Sequence, residues 1–153
     1  MSYQEVKVMI IDDSALVRKV LKEIINNIPG MRVASIAKDP IQAVEKIKKE
    51  KPDVITLDLQ MPRMDGLTFL KRLMSSKPIP VVVISSLSKK GSKDTMKALE
   101  LGAVDFVTKP SLGISSGLKE LKAEIERKLM TASRVNLRNV KKNIKKRNKL
   151  SNS

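Results

Sequence analysis

The run Val54-Ile55-Thr56-Leu57, closed by Asp58, constrains this chain more than any other stretch. It is β-branched and apolar at both odd and even positions. That pattern predicts a strand buried on both faces, as in the middle of a parallel sheet. Loop chemistry follows at once in Met61-Pro62 and Asp65-Gly66. Parallel sheets bind ligands at the carboxyl ends of their strands, so Asp58 stands where a reacting carboxylate would be placed. Taken singly, Asp58 serves equally well as the cap of the next loop or helix. The ends of the other strands decide between these readings.

The rest of the chain repeats the unit. Val6–Ile11 reads as a strand ending in Asp12-Asp13-Ser14. A helix follows with Leu16, Val17, Val20, Leu21, Ile24, Ile25 and Ile28 at helical spacing, until Pro29-Gly30 stops it. Met31–Ala37 is a weaker strand. Asp39-Pro40 starts a second helix with Ile41, Val44 and Ile47 as its apolar stripe, closed by Lys51-Pro52. After the Asp58 strand, residues 66–76 are helical, with Leu67, Leu70, Leu73 and Met74 inward. Val81–Ile84 is the second strongly apolar strand and ends in Ser85-Ser86. Lys89–Ser92 reads as a polar loop. The helix after it turns Met96, Leu99 and Leu101 to one side and ends at Gly102. Val104–Thr108 is the fifth strand, ending in Lys109-Pro110. A Gly- and Ser-rich loop then leads to a helix with Leu118, Leu121, Ile125 and Leu129 inward. Strand and helix alternate five times, which predicts an α/β doubly wound parallel sheet with helices on both faces.

Composition narrows the chemistry. The chain has no Cys and no His. A Ser-His-Asp triad, a Cys-His pair, and thiolate or imidazole metal sites are therefore excluded. Catalysis or binding must use carboxylates, hydroxyls, Lys and a hard metal ion. No apolar run reaches membrane-spanning length and the N-terminus lacks a signal-peptide pattern, from which a cytoplasmic location is expected. The formal net charge is +15 over 153 residues, and eight of those charges (Arg134, Arg138, Lys141, Lys142, Lys145, Lys146, Arg147, Lys149) fall in residues 131–153, which hold no acid. The preceding 130 residues carry the remaining +7. The expected division is a domain over 1–130 and a basic linker or tail over 131–153, helical or disordered. Binding of nucleic acid through that tail is a minor alternative.

In a parallel sheet all the strand ends named above meet on one edge. Asp12, Asp13, Asp58, Ser85 and Lys109 then converge. Three crowded carboxylates repel by roughly 4 kcal/mol per pair at about 4 Å and an effective dielectric near 20. Such a cluster calls for a cation or raised pKa values. With oxygen ligands alone, Mg²⁺ fits best, since it takes one or two carboxylates and accepts a phosphate oxygen. A carboxylate can attack phosphorus to form an acyl phosphate. Transfer then needs positioning and charge neutralisation, which Mg²⁺, Lys109 and the Ser85 hydroxyl would supply.

Asp12-Asp13, Asp58 with Met61-Pro62 and Asp65-Gly66, Ser85, and Lys109-Pro110 resemble the receiver domain of two-component response regulators over about residues 5–130. The resemblance implies a flavodoxin-like (βα)5 fold with strand order 2-1-3-4-5. It implies Asp58 as the phosphoacceptor for a histidine kinase. It further implies Asp13 as a direct Mg²⁺ ligand, Asp12 as a direct or water-mediated one, and the Gln60 backbone carbonyl as a third. Ser85 would be the switch hydroxyl, Phe106 the switch aromatic and Lys109 the partner of the phosphoryl group, with a cis Lys109-Pro110 peptide.

Asp12–Ala15, Met61–Leu67, Ser85–Ser88 with Gly91-Ser92, and Ala98–Pro110 are similar, more narrowly, to the receiver half of chemotaxis protein-glutamate methylesterases. In that family the receiver controls an esterase domain that demethylates or deamidates chemoreceptors with a Ser-His-Asp triad. Without His, this chain holds no such domain. It is expected to be either a piece ending in the linker or a stand-alone receiver that works as an adaptor by binding proteins. Gln60 stands where the methylesterase family would have an acid, which bears on phosphoryl-group lifetime. Gln60 also weighs against a phosphatase-like hydrolase, which needs a second acid two residues after its Asp nucleophile.

Overall fold

The structure, a computed structural model, describes residues 5–61, 65–86, 88–109 and 118–135. Five strands and five helices alternate: β1 (Val6–Ile11), α1 (Ala15–Asn26), β2 (Met31–Ala37), α2 (Pro40–Glu50), β3 (Val54–Asp58), α3 (Gly66–Ser76), β4 (Val81–Ser85), α4 (Lys89–Glu100), β5 (Asp105–Thr108) and α5 (Leu118–Ser133). The strands form one parallel sheet in the order β2-β1-β3-β4-β5. This is the doubly wound, flavodoxin-like arrangement expected from the sequence and from the receiver resemblance.

The doubly apolar runs become the buried centre. Every residue of β3 and of β4 is buried. Alternate side chains serve two cores. Met9, Ile11, Ile55, Leu57, Val81 and Val83 pack with residues of α2, α3 and α4. Val8, Ile10, Val54, Val82 and Ile84 pack with residues of α1 and α5. Each fully buried aliphatic side chain contributes about 1.5–3 kcal/mol. The two cores together hold the strand ends in place.

Local signals set the helix starts. Ser14 and Asp39 cap α1 and α2, accepting hydrogen bonds from the Val17 and Gln42 amides, and Asp65 caps α3 through the Leu67 amide. Pro40 occupies the first turn of α2, and Lys51 closes that helix with φ +46. Gly102 follows the Leu101 cap of α4.

Four expectations are corrected. Lys89–Gly91 is the first turn of α4, because Ser88 caps it through the Gly91 amide at 2.9 Å. On α2 the buried face is Pro40, Ala43 and Ile47, while Ile41 is 68% and Val44 45% exposed. On α4 the buried face is Gly91, Thr95 and Ala98, and Met96 is 61% exposed. Leu99 and Leu101 do pack against the core. On α1, Leu16 is exposed while Val17, Leu21 and Ile25 are buried. For α2 and α4 one physical reason serves. Small residues let a helix approach the sheet closely, so Ala or Gly faces the sheet and larger neighbours turn outward.

The Lys109-Pro110 peptide, Leu118's side chain and residues 136–153 of the basic segment lie outside the described residues. Among the described residues no helix is long and apolar enough to cross a membrane.

Candidate functional site

The carboxyl edge of the sheet gathers the polar strand ends. Asp58 closes β3 and is fully buried; Asp12, just after β1, is 1% exposed. Asp13 is exposed beside them. One carboxylate oxygen from each of Asp12, Asp13 and Asp58 lies within 4.8 Å of the others. Lys109, the first residue after β5, reaches past β4 to put its Nζ 3.2 Å from Asp58 Oδ2. Its own amide donates to the Ser85 carbonyl at 2.7 Å, which ties the end of β5 to the end of β4.

Backbone donors hold two of the acids. The Ser14 amide donates to Asp12 Oδ1 at 2.8 Å, and the Gln60 amide donates to Asp58 Oδ1 at 3.0 Å. Asp12 Oδ2 is buried and, among the described residues, accepts no hydrogen bond. A buried carboxylate oxygen without a donor is costly unless a cation meets it. Burial raises the Asp12 carboxyl above its ordinary value of 3.8, with smaller opposing contributions from the Ser14 amide and Lys109. Burial also pushes Asp58 up to about 6, and the neighbouring Asp12 adds to the rise. The Gln60 amide and Lys109 act in the opposite direction. The donor set is oxygen only, crowded, and includes one orphaned buried oxygen. These residues fit a hard divalent cation such as Mg²⁺.

Ser85 is the last residue of β4 and is buried. Asp58 pairs with Ile84 and Ser85 with Thr108, so Ser85 stands one residue beyond the level of Asp58 along the sheet. Gln60 lies half-buried just past β3. Phe106 sits in the middle of β5, two residues before its end, and is 39% exposed. Lys128 Nζ of α5 lies 5.0 Å from its ring centroid, donates to the Phe106 carbonyl and to Glu124, and stands 3.6 Å from Asp105.

Four supporting residues have roles that the sequence did not assign: Arg18 and Lys128, and Gly66 and Gly91, which stood only as members of motifs. Arg18 Nη1 donates to the Asp12 carbonyl at 2.8 Å. Its place in the first turn of α1 is the only sequence signal. A Cβ on Gly66 would come within 2.8 Å of Leu59 Cα and 3.1 Å of the Asp58 carbonyl, so only glycine lets α3 start against the end of β3. A Cβ on Gly91 would fall 2.5 Å from both the carbonyl and the hydroxyl of Ser86. A glycine in the first turn of a helix that follows a functional strand end is the signal that could have found both. Lys128 is one of many lysines and carries no local signal.

Comparison with known proteins gives the family. The response regulator receiver domain family matches residues 8–125. The chain is 55% identical over 138 residues to protein-glutamate methylesterase/protein-glutamine glutaminase 2 of Cupriavidus pinatubonensis, covering 90% of this chain and 39% of that protein. It is 56% identical over 135 residues to the Bordetella pertussis protein-glutamate methylesterase/protein-glutamine glutaminase, covering 88% of this chain and 39% of that protein. The chain thus spans about two fifths of the length of these relatives. Among solved structures, the response regulator domain of Thermotoga maritima CheB superposes with a TM-score of 0.76 at 43% identity, covering 86% of this chain and 98% of that domain. The chain belongs to the family of response regulator receiver domains, of the type found in chemotaxis protein-glutamate methylesterases.

Proposed function

We propose that this chain is a phosphorylation-dependent switch whose phosphoacceptor is Asp58. The observation that carries this reading is the buried Asp58 carboxylate held between the Asp12–Asp13 pair and Lys109 Nζ at 3.2 Å. In the ionised state an Asp58 oxygen attacks phosphorus. The bond from phosphorus to the donor's nitrogen breaks, the electron pair leaves with that nitrogen, and an acyl phosphate forms. A phosphohistidine of a chemotaxis-type histidine kinase is the proposed donor. Lys109 favours the ionised carboxylate and afterwards pairs with a phosphoryl oxygen, while Ser85 donates its hydroxyl to another. Asp12, Asp13, Asp58 and the Gln60 carbonyl would hold Mg²⁺. When bound, the ion supplies positive charge that offsets the carboxylates and the incoming phosphoryl oxygens.

The switch is the face formed by α4, β5 and α5. Ser85 moves toward the phosphoryl group, and Phe106 turns from solvent into the space it leaves. The methylesterase relatives support an output in which this face bears on a methylesterase/glutamine deamidase domain acting on chemoreceptors in the cytoplasm. Residues 1–130 would be the receiver and 131–153 the basic linker to that domain.

The test is intact mass after incubation with acetyl phosphate, with and without Mg²⁺, on wild type and Asp58→Asn. Uptake of one phosphoryl group that needs Mg²⁺ and is lost in Asp58→Asn is expected. Uptake that persists in Asp58→Asn would move the acceptor elsewhere. No uptake by the wild type under any condition would end the signalling reading.

A further inference from the structure

On the outer side of the sheet layer, α2 and α3 do not close on each other. Between them lies an open groove of about 840 Å³. Its floor is apolar: Ile41 and Val44 from α2, Phe69 and Leu73 from α3. Phe69 and Leu73 are buried members of the core, so the floor is rigid. Among the described residues, Ile41 and Val44 are two of the few large apolar side chains left exposed, at 68% and 45%. They are the residues that helical periodicity turns inward. The fold presents them to this groove instead, because Ala43 takes the place against the sheet.

The rim carries charge of one dominant sign. Lys48, Arg72 and Lys77 stand along it against the single acid Glu45. Among the described residues none of these three cations makes a salt bridge within the chain. An apolar floor between two helices with a cationic rim is complementary to an amphipathic helix that carries acids beside its apolar stripe. At about 1.5 Å per residue, the 11-residue α2 offers a wall of about 16 Å, enough for three turns of a bound helix. A second copy of this chain, at a net +15, would meet its own sign there. Nucleic acid would match the rim but leave the apolar floor uncovered.

We propose that the α2–α3 groove is a docking site for an acidic amphipathic helix of a partner protein. The site is separate from the α4-β5-α5 face, and the inference does not depend on phosphorylation of Asp58. Ile41, Val44, Phe69 and Leu73 receive apolar side chains at i, i+3 or i+4, and i+7. Lys48, Arg72 and Lys77 pair with flanking carboxylates.

Fluorescence anisotropy on the whole chain tests it, with a labelled 16-residue helical probe bearing Leu at i, i+3, i+4, i+7 and i+11 and Glu at the positions beside that stripe. Micromolar binding is expected. Val44→Asp, at an exposed position and with thermal melting as the check that it is folded, should weaken it at least tenfold. Arg72→Glu with Lys77→Glu should do the same, and exchanging Glu for Lys in the probe should abolish binding. Equal binding of the acidic and basic probes, equal binding to wild type and Val44→Asp, or no binding at all would each overturn the proposal. So would Val44-dependent binding of phosphatidylglycerol vesicles, or a Val44-dependent dimer in sedimentation, since either names a different occupant. Acetyl phosphate uptake by Val44→Asp should match wild type, which separates failure of this inference from failure of the Asp58 reading.

Discussion

Lys109 Nζ and Asp58 Oδ2 lie 3.2 Å apart although 51 residues separate them in the chain. The contact spans β4, which lies between their two strands. It joins a carboxylate with no solvent exposure to an ammonium whose side chain is 26% exposed. Its consequences differ for the two partners, because water still reaches the ammonium but not the carboxylate.

Lys109→Ala should therefore strand a buried carboxylate. In metal-free protein at pH 7.5 the expected loss is about 1–2 kcal/mol, below that of a fully buried pair because water reaches the lysine. The acetyl phosphate uptake rate should fall at least tenfold, with Lys109→Arg intermediate. Urea unfolding and a timed mass assay read the two effects. Unchanged uptake in Lys109→Ala would remove Lys109 from the site chemistry.

The pH dependence of stability follows from the raised Asp58 value. With a folded value of about 6 against an ordinary 3.8, the native state binds more protons than the unfolded state between these limits. Stability then falls as pH rises through that window. The contribution is greatest below about pH 4 and is lost above about pH 6, an order of 2–3 kcal/mol in all. The raised Asp12 carboxyl acts with the same sign. Urea unfolding in EDTA should show wild type losing stability from pH 4.5 to 7 relative to Asp58→Asn, which should be the more stable protein at pH 7.5. Parallel pH profiles for the two proteins would contradict this account.

Mg²⁺ should reverse much of that penalty. Ligand at a hundredfold excess over its Kd stabilises by about 2.7 kcal/mol. Asp13 is exposed, so Asp13→Asn would remove a proposed ligand without disturbing the core. Its melting temperature should respond far less to Mg²⁺ than that of wild type, and Ca²⁺ or Mn²⁺ titrations should show the same loss. An undiminished Mg²⁺ response in Asp13→Asn would exclude it from the ligand set.

Gly66→Ala should be costly out of proportion to one methyl group. The added carbon would meet backbone atoms of Leu59 and Asp58, not a yielding side chain. A destabilisation of about 1–3 kcal/mol is expected, together with slower phosphoryl uptake, since the shift would move the end of β3 that carries Asp58. Full activity in a stable Gly66→Ala protein would show that α3 can retreat without moving Asp58.

Lys128 Nζ lies 5.0 Å from the Phe106 ring centroid and donates to the Phe106 carbonyl, contacts that would favour the outward ring in the proposed switch. A cation–π contact at a partly exposed site contributes about 0.5–1 kcal/mol. Lys128→Met should shift the switch toward the inward aromatic and raise the uptake rate about threefold. An unchanged rate would show that this contact does not bias the switch.

Much of the fold was readable before any coordinates. Strands buried on both faces need apolar residues at both parities, and Val54–Leu57 and Val81–Ile84 have them. Once those strands are parallel, Asp12, Asp13, Asp58, Ser85 and Lys109 must share an edge, so the candidate site followed from order and chemistry alone. The helix starts after Asp12-Asp13-Ser14 and at Asp39-Pro40 were legible for a local reason, since the Ser14 and Asp39 caps each bond within three residues, whereas Asp65 was read only as loop chemistry.

Only the tertiary structure decided which way the helices turn and which residues support the site. Ala43 rather than Ile41 faces the sheet because the distance between helix and sheet is set by the whole core, and a local periodicity does not contain that distance. Gly66 and Gly91 matter through atoms of Leu59 and Ser86 that approach them in space. Arg18 and Lys128 act through backbone carbonyls whose positions the folded chain alone defines. Hydrophobic pattern and capping are short-range and are written in the sequence. Close packing is a property of the assembled interior, and it settles what the pattern leaves open.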